Sequence, residues 1–202
     1  MSTIPPIKLA VLISGSGTTL VNLVDRINNG HLNAVISLVI GSREGLKGLD
    51  RAKAANLPTA VIDARESDSR NFSRQVFSAI DQAKVDLVCL AGWLCLLEIP
   101  TRYEGKILNI HPSLLPSFGG KGMYGLKVHQ AVLDRGCTVT GCTVHYVTEE
   151  IDAGAIILQA SIDVDYSETP WQLGGRVFKE ENRLLVDAVR LIKSGAKQQI
   201  RA

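Results

Sequence analysis

Four short apolar runs, the first three each followed by apolar residues at helical spacing, constrain this chain more than any other feature. Residues 9–13 are continuously apolar, as in a strand buried on both faces. They break at Ser14-Gly15-Ser16-Gly17, and residues 18–27 then place Leu20, Leu23, Val24 and Ile27 at helical spacing before Gly30. Residues 35–40 predict a second strand, 46–55 a short helix stopped before Pro58, and 59–62 a third strand. Phe72, Val76, Phe77 and Ile80 mark the apolar face of a further helix, and residues 86–91 a fourth strand. This β-α-β-α-β-α-β succession calls for a parallel sheet with helices on both faces, and right-handed crossovers make it Rossmann-like.

The second half changes character near residues 98–104. Residues 107–110 predict another strand, residues 112–125 a Pro- and Gly-rich loop, and residues 128–133 a short helix. Residues 138–147 and 155–164 read as antiparallel neighbours across a turn at 152–154. A long last helix, 171–192, turns Leu173, Val177, Leu184, Leu185, Ala188 and Leu191 to the core. The expected fold is α/β: a Rossmann-like, mostly parallel twisted sheet flanked by helices, with a C-terminal antiparallel strand pair and a long final helix. The 202 residues suit a single domain, with a nucleotide- or phosphate-binding half over about 7–100 and a second half over about 101–202.

Composition excludes several function classes. The net charge of +2 comes without a basic block, which argues against nucleic acid and suits a small anionic substrate. Cys89, Cys95, Cys137 and Cys142 form no C-x-x-C pair, so no metal is expected, and they read as reduced core or near-core residues of a cytoplasmic protein. The first residues lack a signal pattern, and no segment approaches the roughly 20 apolar residues of a membrane span, so no membrane partner is expected.

Two local motifs carry chemistry. Ser14-Gly15-Ser16-Gly17-Thr18-Thr19 lies where a strand turns into a helix. Glycine permits close backbone approach, and a helix N-terminus attracts phosphate. A plain turn capped by Thr18 or Thr19 reads equally well from this stretch alone. The second motif, Asn109-Ile110-His111-Pro112-Ser113, puts Asn109 and His111 on one face at the C-terminal end of a strand, where open α/β sheets bind ligands. Alternatively, the pair ties loops to the sheet. His31, His129 and His145 read as structural, His145 facing opposite to Val144 and Tyr146.

The stretch from Asn109 through Pro116, Asn-Ile-His-Pro-Ser-Leu-Leu-Pro, resembles the signature of the folate-dependent formyltransferases. The resemblance extends to Gly141-Cys142-Thr143-Val144-His145-Tyr146-Val147-Thr148-Glu149-Glu150-Ile151-Asp152-Ala153-Gly154, to Leu12-Ile13-Ser14-Gly15-Ser16-Gly17 and to Leu90-Ala91-Gly92-Trp93. It implies the formyltransferase fold and transfer of a formyl group from 10-formyltetrahydrofolate, as co-substrate, to a primary amine. The Ser-Gly-Ser-Gly loop and the chain length, without an appended C-terminal or regulatory domain, favour glycinamide ribonucleotide as acceptor, in de novo purine biosynthesis. The absence of Arg-Gly-Ala after Leu-Leu-Pro points the same way.

By resemblance Asn109, His111 and Asp152 are catalytic. Gly15, Ser16, Gly17, Thr18 and Thr19 would hold the acceptor phosphate, with Pro112 and Glu181 also touching the acceptor. The folate is expected on Arg70, Leu94, Cys95, Leu96, Leu97, Asn109, Val147, Thr148, Glu149, Glu150 and Asp152. Amine attack proceeds directly through a tetrahedral intermediate, so neither a nucleophile nor a metal is needed. Asp152 also fits a plain turn, Glu181 an exposed charge and Arg70 a surface arginine. The sequence departs from the family pattern at Thr19, where asparagine is common, at Cys95, where an arginine usually contacts folate, and at Phe178 and Asn182. The loop at residues 119–125 carries four glycines, which suit either a lid or a plain flexible loop. Formylation of another amine, such as an amino sugar nucleotide, hydrolysis of the formyl donor, and a non-enzymatic folate or nucleotide binder are the alternatives. The expected assembly is a monomer or homodimer.

Overall fold

A computed structural model describes residues 5–195. Two compact units divide between Leu108 and Asn109.

The first unit contains β1 (Ile7–Ile13), α1 (Thr18–Asn28), β2 (Ala34–Gly41), α2 (Lys47–Ala54), β3 (Thr59–Val61), α3 (Ser69–Ala83) and β4 (Leu87–Leu90). Strand β1 pairs in parallel with β2 and with β4, and β2 pairs in parallel with β3, so the order is β3-β2-β1-β4. This is the expected Rossmann-like half. Leu9, Ala10, Val11, Leu12 and Ile13 are all fully buried, so both faces of β1 lie under helices, which is why its sequence is apolar without alternation. Helix α3 starts at Asp68, whose carboxylate accepts the Asn71 backbone N–H at 2.8 Å. A single 3-10 turn, Thr101–Tyr103, precedes the last strand and was not predicted. Strand β5 (Ile107–His111) begins here, where the Val88 N–H donates to the Lys106 carbonyl, and its last three residues belong to the second unit.

The second unit adds α4 (Leu126–Asp134), β6 (Val139–Tyr146), β7 (Ile156–Asp163) and α5 (Pro170–Lys193), with strand order β5-β6-β7. β6 and β7 are antiparallel as expected, with a register slip between Val144 and His145. Glycine is required at both ends of this hairpin. A Cβ on Gly141 would run into the Ala160 carbonyl, and one on Gly154 into the Tyr146 carbonyl. Helix α5 opens with a capping box, Thr169 with Gln172, and Pro170 in its first turn. Its buried stripe, Leu173, Val177, Leu184, Leu185, Ala188 and Val189, packs on β6 and β7.

Candidate active site

The second unit gathers Asn109, His111, His145 and Asp152. Strand geometry carries Asn109 and His111 to one face of β5, and His111 is 4% exposed. The His111 Nε2–H donates to the Phe118 carbonyl at 2.8 Å, which turns Nδ1 toward Asp152, 3.5 Å from Oδ2. Asp152 sits in the left-handed region (φ 57°) in the turn between β6 and β7, and Oδ2 also accepts the Gly120 N–H at 2.8 Å. Thus one carboxylate oxygen faces both the His111 imidazole and the start of the glycine-rich loop. Phe118 is also left-handed (φ 55°), an uncommon conformation for a bulky residue, and it aims its carbonyl at His111.

His145 is structural, as read, but with a partner that the sequence did not indicate: it is buried in β6 and meets Asn109. Its Nδ1–H donates to the Tyr146 carbonyl at 2.9 Å, and burial lowers its pKa, ahead of the raising effects of that hydrogen bond and of Asp152. That lowering favours the neutral ring, and Nε2, facing the Asn109 amide Nδ2 at 3.1 Å, stands as its acceptor and lies 3.6 Å from Asp152 Oδ1. One of the two Asn109 amide hydrogens is committed to His145, and its rotamer is fixed with the other free to meet a ligand. The His111 contact with the Phe118 carbonyl also fits the alternative in which Asn109 and His111 tie loops to the sheet.

The loop after β5 is held from below. Thr143 Oγ1 donates to the Ser113 carbonyl and accepts from the Leu115 N–H and from Gln159 Nε2. Buried Thr143 thus ties the segment following His111 to β6 and β7. His129 keeps its structural reading. It is buried in α4, burial lowers its pKa, and its ring lies against Gly174, where a Cβ would stand 2.8 Å from Cδ2.

Glu181 lies on α5. Burial raises its carboxyl pKa to about 7 although some of its surface reaches solvent, so it is not the freely exposed charge that its Glu-Glu sequence suggests. Val147 is half-buried, while Thr148, Glu149 and Glu150 are exposed, and Thr148 Oγ1 donates to the Glu150 carbonyl.

In the first unit, Gly17 (φ 71°) caps α1, and no side chain caps the helix; Thr18 is its first residue, so neither Thr18 nor Thr19 acts as the cap. Gly15, Ser16 and Thr18 are exposed, whereas Gly17 and Thr19 are buried. Leu94 and Leu96 are 64% and 65% exposed and Leu97 half-buried. Between them Cys95 turns inward, its thiol pKa raised by burial ahead of the lowering contacts with the Ser42 and Ser14 side chains. Arg70 pairs with Glu98 at 3.4 Å in solvent. All four cysteines are free, Cys89 and Cys142 buried. No group of three or more His, Cys, Asp or Glu suited to a metal occurs among the described residues, and none of their helices is long and apolar enough to cross a membrane.

The chain as a whole is similar to known proteins. The family model described as "Formyl transferase" matches residues 7–189. The chain is 45% identical over 195 residues to the trifunctional purine biosynthetic protein adenosine-3 of Gallus gallus, covering 95% of this chain and 19% of that protein. It is 38% identical to the chloroplastic phosphoribosylglycinamide formyltransferase of Arabidopsis thaliana, over 92% of this chain and 65% of that one. It therefore spans about a fifth of the trifunctional relatives and just under two thirds of the plant relative. Among solved structures, glycinamide ribonucleotide transformylase 1 from Symbiobacterium toebii superposes with a TM-score of 0.87 at 39% identity, covering 94% of this chain and 89% of that one. Phosphoribosylglycinamide formyltransferase from Brucella melitensis gives 0.83 at 37% identity, covering 98% and 100%. With the Asn109, His111 and Asp152 cluster carried on the matched fold, the chain belongs to the formyl transferase family.

Proposed function

We propose that this chain transfers the formyl group of 10-formyltetrahydrofolate to the primary amine of glycinamide ribonucleotide, a step of purine biosynthesis. The observation that carries the reading is the buried cluster in which His145 orients Asn109 while Asp152 faces the imidazole of His111. The free Asn109 amide hydrogen and a proton on His111 Nδ1 are the donors for the oxygen that becomes negative when the amine adds to the formyl carbon. The 3.5 Å separation of His111 Nδ1 and Asp152 Oδ2 exceeds the 2.7–2.9 Å or so of a charge-assisted hydrogen bond, which leaves that proton available to a substrate oxygen. Asp152 stabilises positive charge on the ring and accepts, directly or through a water, the proton that the attacking amine gives up. A proton then reaches the folate nitrogen as the C–N bond breaks. The product is a formamide on the acceptor plus tetrahydrofolate.

In this reading Gly15, Ser16, Gly17, Thr18 and Thr19 bind the acceptor phosphate at the uncapped start of α1. Pro112 and Glu181 meet the rest of the acceptor. Leu94, Cys95, Leu96 and Leu97, together with Val147, Thr148, Glu149, Glu150 and Asp152, take the folate, whose carboxylate tail reaches Arg70. The reaction uses two small molecules and no metal, in the cytoplasm, by a monomer or homodimer; the four free cysteines suit a reducing compartment.

A spectrophotometric assay with 10-formyl-5,8-dideazafolate tests the proposal. Turnover that requires glycinamide ribonucleotide supports it. Turnover without any amine points to a hydrolase, turnover only with an amino sugar nucleotide to another acceptor, and binding without turnover to a folate or nucleotide binder.

A further inference from the structure

We propose that Arg51, from α2, is a positioning residue for the acceptor phosphate; the inference rests on the phosphate reading of the glycine loop. Three successive carbonyls of that loop are taken up by the protein. The Gly15 carbonyl accepts the Gly48 backbone N–H at 3.2 Å, the Ser16 carbonyl accepts Arg51 Nη1 at 3.0 Å, and the Gly17 carbonyl accepts the Val21 N–H at 3.0 Å as the first bond of α1. In a trans peptide the C=O and the following N–H point in opposite directions. Fixing the carbonyls of Gly15, Ser16 and Gly17 on the protein side therefore turns the N–H groups of Ser16, Gly17 and Thr18 the other way. Successive N–H groups aimed outward around a left-handed residue make an anion-binding concavity, and Gly17 supplies that residue at φ 71°. Because no side chain caps α1, none competes with an anion there.

The α2 side of this arrangement is equally specific. A Cβ on Gly48 would stand 3.0 Å from the Gly15 carbonyl oxygen and 3.1 Å from Gly17 Cα, so only glycine lets α2 come close enough to reach the loop. Of the three carbonyl bonds, two are made by backbone. The bond to Ser16 alone depends on a side chain, and Arg51 is exposed, so it can be replaced without opening the core. Without it, the Ser16–Gly17 peptide is free to rotate, and its carbonyl can face the phosphate instead of its N–H.

The test compares wild type with Arg51→Met on two acceptors, glycinamide ribonucleotide and the corresponding riboside, which lacks the phosphate. Arg51→Met should raise KM for the ribonucleotide about five- to tenfold, the worth of one hydrogen bond holding a backbone group. KM for the riboside, KM for folate and kcat should stay within about twofold, and Arg51→Lys, which keeps a donor, should recover part of the loss. Inorganic phosphate, titrated as a competitor of the ribonucleotide, should inhibit the Met variant correspondingly less. An unchanged ribonucleotide KM, or an equal rise for the riboside, overturns the role of Arg51. If wild type uses both acceptors equally well and phosphate does not compete, the phosphate reading itself falls. Should Arg51→Met fold poorly by thermal denaturation, Arg51→Lys alone decides through the same two-acceptor comparison.

Discussion

The most informative perturbation separates the two nitrogens of His145. Asparagine at this position keeps a donor where Nδ1 stands, facing the Tyr146 carbonyl, but removes the acceptor at the position of Nε2. Glutamine instead supplies an acceptor at the position of Nε2. His145 holds Asn109 through one 3.1 Å hydrogen bond, and a buried bond of this kind is worth about 1–2 kcal/mol once the desolvated partner is counted. Losing it lets the Asn109 amide leave its productive rotamer, which lowers kcat by about 5–30-fold, whereas removing an oxyanion donor outright costs about 10²–10³. His145→Asn is therefore expected to lose about 5–30-fold in kcat, with the KM values for both substrates little changed, and His145→Gln to retain all but a few-fold. The assay is steady-state formyl transfer in a double-mutant cycle. In an Asn109→Ala background, His145→Asn should have no further effect on kcat, because the group it orients is gone. A full additional loss in that background would refute the argument and assign His145 to Asp152, which lies 3.6 Å away on the other side of Nε2.

Two further outcomes follow from the geometry. The Glu181 pKa is raised from 4.5 to about 7 by burial, so the folded state favours its protonated form; its contribution to stability is complete below about pH 4.5 and is lost as pH rises to 7. Glu181→Gln should thus leave stability unchanged at pH 4 and raise it by roughly 1–3 kcal/mol at pH 8, discounted for its partial exposure, as read by urea denaturation. Gly17→Ala faces both a φ of 71° and a Cβ only 2.7 Å from Gly48 Cα, so it should cost at least about 1–2 kcal/mol in thermal denaturation and weaken ribonucleotide binding more than folate binding.

The sequence carried the backbone plan well because the buried parallel strands and amphipathic helices announce themselves by period. β1 lacks alternation since both its faces are covered, and α5 shows a regular apolar stripe. Helix starts were less legible: α5 begins at its capping box, just before the first residue expected, and α1 begins on Gly17 instead of a threonine cap. The spacing of Asn109 and His111 put them on one face, but spacing within a strand says nothing about which side chain on a neighbouring strand meets them. His145 showed no sign of its partner Asn109 for that reason. Its alternation with Val144 and Tyr146 was plain, yet its bond to Asn109 joins residues 36 apart in the chain. The Thr143 hub and the grip of Arg51 on Ser16 arise the same way, from contacts between elements distant in sequence. The turn at Asp152 looked ordinary from its local pattern, because aspartate is common in turns; the family resemblance singled it out, and the structure adds a left-handed backbone with Oδ2 shared between Gly120 and His111.

Direct transfer centred on Asn109, His111 and Asp152 is tested most directly by kcat for formylation of glycinamide ribonucleotide in wild type, Asn109→Ala and Asp152→Ala, each verified as folded by circular dichroism. Each variant is expected to lose at least about 10²–10³ in kcat. Turnover near the wild-type rate in either variant would contradict the account.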